Sequence, residues 1–121
     1  MMVSSSIVLY NTKKDIEEII KIVFQSPITK LFLIDHSKIK SLDLKLLNSK
    51  TEYIHNPLNP GYGAGHNMAI KRIINKSKYH FVLNPDISFN PDDVQIIIDY
   101  MEKNPDVGLV MPRVVYPDGS L

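Results

Sequence analysis

The sequence contains no cysteine, which excludes disulfide bonds and thiolate metal sites. Its longest unbroken apolar runs, at residues 7–10 and 31–34, fall far short of the ~20 residues that span a bilayer. The first residues lack the basic start and apolar stretch of a signal peptide, so we expect a cytoplasmic protein. Neither sign of charge dominates, because 14 Lys and Arg residues face 13 Asp and Glu residues. That balance gives no general attraction to nucleic acid, and we expect no such partner.

Short β-branched apolar runs alternate with segments of helical periodicity along the 121 residues. The runs predict strands at residues 6–10, 31–34, 51–55, 79–83 and 107–111. One helix is predicted over residues 16–24, with Thr12 as its cap, and a second from residue 65. A third is predicted to begin at the cap Asn90, and residues 38–50 have room for one short helix. This order is typical of one α/β domain, a mainly parallel open sheet flanked by helices.

Residues 59–67 read Asn-Pro-Gly-Tyr-Gly-Ala-Gly-His-Asn, with glycine at three alternate positions. Such a segment lets the backbone approach a ligand closely. The glycine spacing and the position after the third predicted strand do not fit a dinucleotide-binding fingerprint, and no Gly-Lys-Ser/Thr closes a phosphate loop. A plain loop that leads into a helix remains the alternative interpretation.

About twenty residues later, the fourth predicted strand ends in Leu-Asn-Pro-Asp at residues 83–86. This turn puts a carboxylate at the carboxyl end of a strand, where open α/β sheets bind ligands. An ordinary turn residue after a proline is the alternative for Asp86.

Together, the glycine-rich segment and the Leu-Asn-Pro-Asp turn resemble the nucleotide-sugar glycosyltransferases of family 2, in particular the rhamnosyltransferase-like branch. The resemblance implies the GT-A fold, a nucleoside diphosphate sugar as substrate, and a divalent cation, Mn²⁺ or Mg²⁺. It also implies a glycan or lipid-linked glycan acceptor in the synthesis of cell-surface polysaccharides. Peripheral association of the full-length enzyme with the inner face of the membrane and a homo-oligomer are both compatible with it.

The resemblance also assigns roles to individual residues. Positions that match the family's sugar-donor site are Tyr10, Asn11, Asp35, Gly61, Gly65, Asn67 and Asn84. Asp86 matches the metal-binding acid of the family's D-x-D turn, whose cation offsets the charge of a diphosphate. Asn84 occupies the first position of that turn, where a neutral amide can contact ribose but binds a metal poorly. His36 and His66 replace the asparagines usual in the family.

The resemblance leaves the general base without a candidate. In the family this carboxylate lies well downstream of the D-x-D turn, and Asp118 is poorly placed because it lies in a predicted hairpin turn. We therefore expect residues 1–121 to be the nucleotide-sugar-binding portion of a truncated domain, with the acceptor-side portion absent and little transfer activity. A catalytically inert nucleotide-binding or self-associating domain is the alternative, and the glycine spacing disfavours an α/β dehydrogenase.

Overall fold

The computed structural model describes residues 1–11, 16–40, 42–43, 45 and 47–121. Strands and helices follow the predicted order, except that β2 is followed directly by β3 in the described residues. The elements are β1 (Val3–Leu9), α1 (Glu17–Gln25), β2 (Lys30–Asp35), β3 (Thr51–His55), α2 (Tyr62–Ile73), β4 (Tyr79–Leu83) and α3 (Pro91–Lys103). None of the helices described is long and apolar enough to cross a membrane.

The four strands form one open sheet in the order β3-β2-β1-β4, and every neighbouring pair is parallel. Ile7 of β1 lies level with Leu33 of β2 on one side and with Leu83 of β4 on the other. The chain moves outward from β1 to β3 and then crosses back to place β4 on the opposite side of β1. This reversal makes a topological switch point between β1 and β4. The predicted α/β open sheet is confirmed.

Apolar side chains cover both faces of the sheet. Helices α1 and α3 pack on one face around a large cluster that includes Ile7, Leu33 and Val94. Helix α2 packs on the other face, where Ala69 and Ile73 meet Val8, Phe32 and Ile34. Burial on both faces explains why residues 7–9 of β1 and 31–34 of β2 are continuous apolar runs rather than alternating patterns.

β1 begins at Val3, three residues earlier than predicted, and its first half contains three consecutive serines. Ser4, Ser5 and Ser6 are fully buried, although serine is usually exposed. Their hydroxyls have hydrogen-bond partners: Ser5 donates to the Lys30 carbonyl, while Ser4 and Ser6 contact histidines. Because hydrogen bonding removes most of the cost of burying a hydroxyl, this polar stretch can occupy the centre of the sheet.

The strand predicted at residues 107–111 is wrong, since these residues have no strand pairing. Leu109 is 88% exposed and Met111 is 86% exposed, while Val107 and Val110 are half-buried. An apolar β-branched run forms a strand only against a partner, and in the described part of the chain nothing pairs with the outer edge of β4. The predicted cap Thr12 and part of the segment 38–50 lie outside the described residues.

Candidate functional site

The switch point places two of the predicted segments side by side. β1 and β4 are neighbours, and their carboxyl ends continue into Tyr10 and Asn11 on one side and Asn84 to Asp86 on the other. Tyr10 is 57% exposed, and the other three named residues are also on the surface. Four of the predicted site residues therefore lie at one edge of the sheet, where open α/β sheets bind ligands.

The end of β1 is fixed to the end of β2 through the backbone of Asn11. Asn11 adopts a left-handed conformation with φ of 47°, which asparagine tolerates better than most residues. Its N–H donates to the Ser37 hydroxyl at 2.8 Å. The Asn11 side chain is thereby left on the surface at the switch point.

Asp35, predicted to contact the sugar donor, lies inside the structure and is 1% exposed. Its Oδ1 accepts the Ser37 N–H at 3.0 Å, and its Oδ2 accepts the Tyr53 hydroxyl at 2.5 Å. Burial, together with this hydrogen bond and the nearby carboxylate, raises the pKa of Tyr53 well above its usual range, so the phenol stays protonated. Asp35 thus organises the ends of β2 and β3, and its contact with a ligand stays a prediction.

Two histidines hold the same loops together. His36 Nδ1 lies 2.9 Å from the Asn56 carbonyl oxygen, and His55 Nε2 lies 2.7 Å from the Ser37 carbonyl oxygen. Sequence reasoning missed Ser37, Tyr53 and His55 as parts of this rim. The parallel register of β2 and β3 accounts for this contact, because it sets Asp35 level with His55. Tyr53 lies two residues before His55 on the same face of β3, which brings its hydroxyl close to Asp35.

The glycines of residues 59–67 have separate backbone roles. Gly61 precedes the first turn of α2 with φ of 109°, a conformation that other residues rarely adopt. A Cβ atom on Gly65 would lie 2.7 Å from His36 Nε2 and 2.8 Å from Val8 Cγ2, so glycine lets α2 pack tightly on the sheet. Gly61 also explains why α2 begins at Tyr62 and not at the predicted Gly65. Ligand contacts of both glycines stay predictions.

His66 is buried and bonded to the sheet. Its Nδ1 lies 2.7 Å from Ser6 Oγ, which in turn lies 2.8 Å from His80 Nε2. Ser4 Oγ completes the chain at 2.8 Å from His80 Nδ1. Burial lowers the pKa of His66, and burial followed by the nearby His66 lowers the pKa of His80 to about 4. Both imidazoles are therefore neutral near pH 7, and they anchor the start of α2 to β1 and β4.

The start of α2 also reaches the turn after β4. The Tyr62 hydroxyl donates to Asn84 Oδ1 at 2.5 Å, and the Tyr62 ring meets the His66 ring edge-on with centroids 4.5 Å apart. Asn67, five residues after Tyr62 on the same helix, is exposed. The glycine-rich segment and the Asn-Pro-Asp turn thus form a single surface, although Tyr62 and Asn84 are 22 residues apart in sequence.

The family described as Glycosyl transferase family 2 matches residues 4–121. The chain belongs to glycosyltransferase family 2. It is also similar to the Low-salt glycan biosynthesis hexosyltransferase Agl10 of Haloferax volcanii, with 24% identity over 115 residues. That match covers 93% of this chain but 36% of the Haloferax protein. No solved structure matches the chain significantly.

The donor set available for a cation in this family 2 chain is small. Asp86 offers one exposed carboxylate, and the described residues contain no cluster of three or more side chains suited to a metal. Mg²⁺ is commonly bound by one or two carboxylates together with substrate phosphates and water. The residues therefore fit a cation that binds together with a diphosphate, but they do not form a site for a metal alone.

Asp118 has the environment of a weak base. Its Oδ1 accepts the Ser120 hydroxyl at 2.7 Å and the Ser120 N–H at 2.9 Å. These hydrogen bonds lower the pKa of Asp118, which makes the carboxylate a poorer proton acceptor. A general base stays unassigned in the family 2 chain.

Proposed function

We propose that residues 1–121 are the sugar-donor-binding portion of a GT-A glycosyltransferase of the rhamnosyltransferase-like branch. The portion binds a nucleoside diphosphate sugar with Mn²⁺ or Mg²⁺ at the carboxyl ends of β1 and β4. The whole enzyme would transfer the sugar to a glycan or lipid-linked glycan in cell-surface polysaccharide synthesis.

The observation that carries this proposal is the junction at the switch point. Tyr62 of the glycine-rich segment is hydrogen-bonded to Asn84, two residues before Asp86, beside the end of β1. The two segments that carry the resemblance are therefore adjacent in space as well as ordered in sequence. Family membership and the name of the Haloferax protein, a glycan biosynthesis hexosyltransferase, support a sugar transfer.

The chemistry assigns different work to the two turn residues. Transfer breaks the bond between the anomeric carbon and the diphosphate oxygen and forms a bond to an acceptor hydroxyl oxygen, whose proton passes to a base. A divalent cation offsets the negative charge of the diphosphate. Asp86 would hold that cation, while Asn84 would contact the nucleotide by hydrogen bonds. Without a base, we expect these residues to bind the sugar donor and to transfer sugar very slowly.

Calorimetry with nucleoside diphosphates, in Mn²⁺ and in chelator, tests the proposed function. We expect binding that is at least tenfold tighter with Mn²⁺, and we expect Asp86→Ala to remove this difference because the charged ligand is lost. Asp106→Ala is the matched control, since Asp106 is an exposed aspartate distant in sequence from the turn. Equal affinity with metal and with chelator would contradict the cation role. Binding of NAD instead would indicate a dehydrogenase, and binding of neither ligand an inert domain.

A further inference from the structure

Tyr62 connects three parts of the site through one side chain. Its hydroxyl donates to Asn84 Oδ1 at 2.5 Å, and its ring packs edge-on against His66 with an interplanar angle of 76°. His66 is itself hydrogen-bonded to Ser6 in the centre of the sheet. The position of the phenol is therefore set by the buried core, although the ring lies at the surface.

This hydrogen bond determines what Asn84 can offer a ligand. An asparagine amide has a carbonyl oxygen that accepts and an NH₂ group that donates two hydrogen bonds. In Asn84 the oxygen already accepts from Tyr62, whereas Nδ2 has no partner among the residues that the structure describes. Burial raises the pKa of Tyr62, so the phenol keeps its proton and remains the hydrogen-bond donor in this pair.

We propose that Tyr62 is a positioning residue: it holds the Asn84 amide so that the Nδ2 hydrogens donate to an oxygen of the bound nucleoside diphosphate. Asn84 then contributes hydrogen bonds to the ligand and leaves the cation to Asp86. The inference rests on the proposed function. It adds that Asn84 acts as the hydrogen-bond donor to the ligand and that Tyr62 fixes the orientation of its amide. Without Tyr62 the exposed amide can rotate, and ordering it again reduces the affinity.

The test is a double-mutant cycle on the 121-residue chain, with affinities for nucleoside diphosphate measured in Mn²⁺ and in chelator. We expect Tyr62→Phe to lower affinity about fivefold in both conditions, because one hydrogen bond is lost and the cation is untouched. In the Asn84→Ala background, Tyr62→Phe should have no further effect. Tyr100→Phe removes the hydroxyl of an equally exposed tyrosine on α3 and should leave binding unchanged.

Thermal melting and NMR separate positioning from a purely structural role. Tyr62→Phe should leave the melting temperature within about 2 °C of the wild type, and it should shift the side-chain NH₂ signals of Asn84 in the ligand-free protein. The inference would be overturned if the losses of affinity were additive in the double mutant or if the loss occurred only in Mn²⁺. Side-chain NH₂ signals of Asn84 that do not move in Tyr62→Phe would overturn it as well.

The outcomes also distinguish this inference from the proposed function. A wild-type chain that binds no nucleoside diphosphate would overturn both. A wild-type chain that binds normally, with Tyr62→Phe binding equally well, would overturn the positioning role alone.

Discussion

At the scale of single residues, Asp35 shows how burial changes the expected effect of a mutation. Both carboxylate oxygens accept hydrogen bonds inside the structure, from the Ser37 N–H and from the Tyr53 hydroxyl. Asp35→Asn replaces one of these acceptors with an NH₂ group, which cannot accept. We expect a loss of about 1–3 kcal/mol in the free energy of unfolding, the usual cost of a buried unpaired group. Chemical denaturation of the two proteins measures this difference.

A matched exposed residue provides the control for Asp35. Asp43 Oδ1 accepts the Lys45 N–H at 3.0 Å in the same local arrangement, but on the surface. Asp43→Asn should therefore change the stability by less than about 0.5 kcal/mol. Equal stability of Asp35→Asn and wild type, together with weakened nucleotide binding, would instead favour the ligand contact that the family resemblance assigns to Asp35.

At the scale of elements, two glycines of α2 give opposite predictions for the same substitution. A Cβ atom on Gly65 would meet His36 and Val8 at 2.7 and 2.8 Å, so Gly65→Ala should push the helix off the sheet at a cost of about 1–3 kcal/mol. A Cβ atom on Gly63 would meet nothing within 4 Å, and Gly63→Ala should stabilise the helix by up to about 1 kcal/mol. Thermal melting of both variants is the check, and a stable Gly65→Ala protein would show that the helix can move at no cost.

The connection of α2 to β1 and β4 predicts a dependence of stability on pH. Burial and the nearby His66 lower the pKa of His80 from its usual 6.5 to about 4 in the folded protein. As the pH falls, His80 is therefore protonated in the unfolded chain before it is protonated in the folded protein. The stability present above pH 6.5 is lost as the pH falls towards about 4. We expect His80→Gln to flatten the decrease in unfolding free energy between about pH 6.5 and 4.5, above the range of most carboxylates. Parallel curves for the two proteins would contradict this origin.

At the scale of the whole molecule, the open sheet predicts self-association. The outer edge of β4 has no neighbouring strand in the described part of the chain, and Val82 on this strand is 51% exposed. Unpaired edges of this kind pair with other chains, and lysine on the edge opposes such pairing. Light scattering should show association that rises with concentration and that Val82→Lys reduces. Ile74→Lys is the control, because Ile74 is an exposed apolar residue at the end of α2 and not on a strand. The same decrease in both variants would argue against edge pairing.

The sequence predicts the fold of this molecule well where local signals and burial agree. Asn90 and Pro91 mark the start of α3, and the Asn90 side chain indeed accepts the Asp92 N–H at 3.0 Å. The run at 107–111 misleads because a strand depends on a partner that no local pattern reveals. Within the site, the motifs mark Asn84 and Asp86, but neither motif reveals that Tyr62 bonds to Asn84. That contact depends on how α2 crosses the sheet.

The most direct test of the central claim is to locate Mn²⁺ in the complex with nucleoside diphosphate by its paramagnetic broadening of backbone amide signals. We predict the strongest broadening at residues 84–87, with broadening at residues 10–11 and 62–63, relative to a Mg²⁺ reference. The amino ends of the strands, such as Val3 and Lys30, should be unaffected because they lie at the other end of the strands from the proposed site. Broadening centred on Asp92 and Asp93, or spread evenly over the surface, would contradict a sugar-donor site at the switch point.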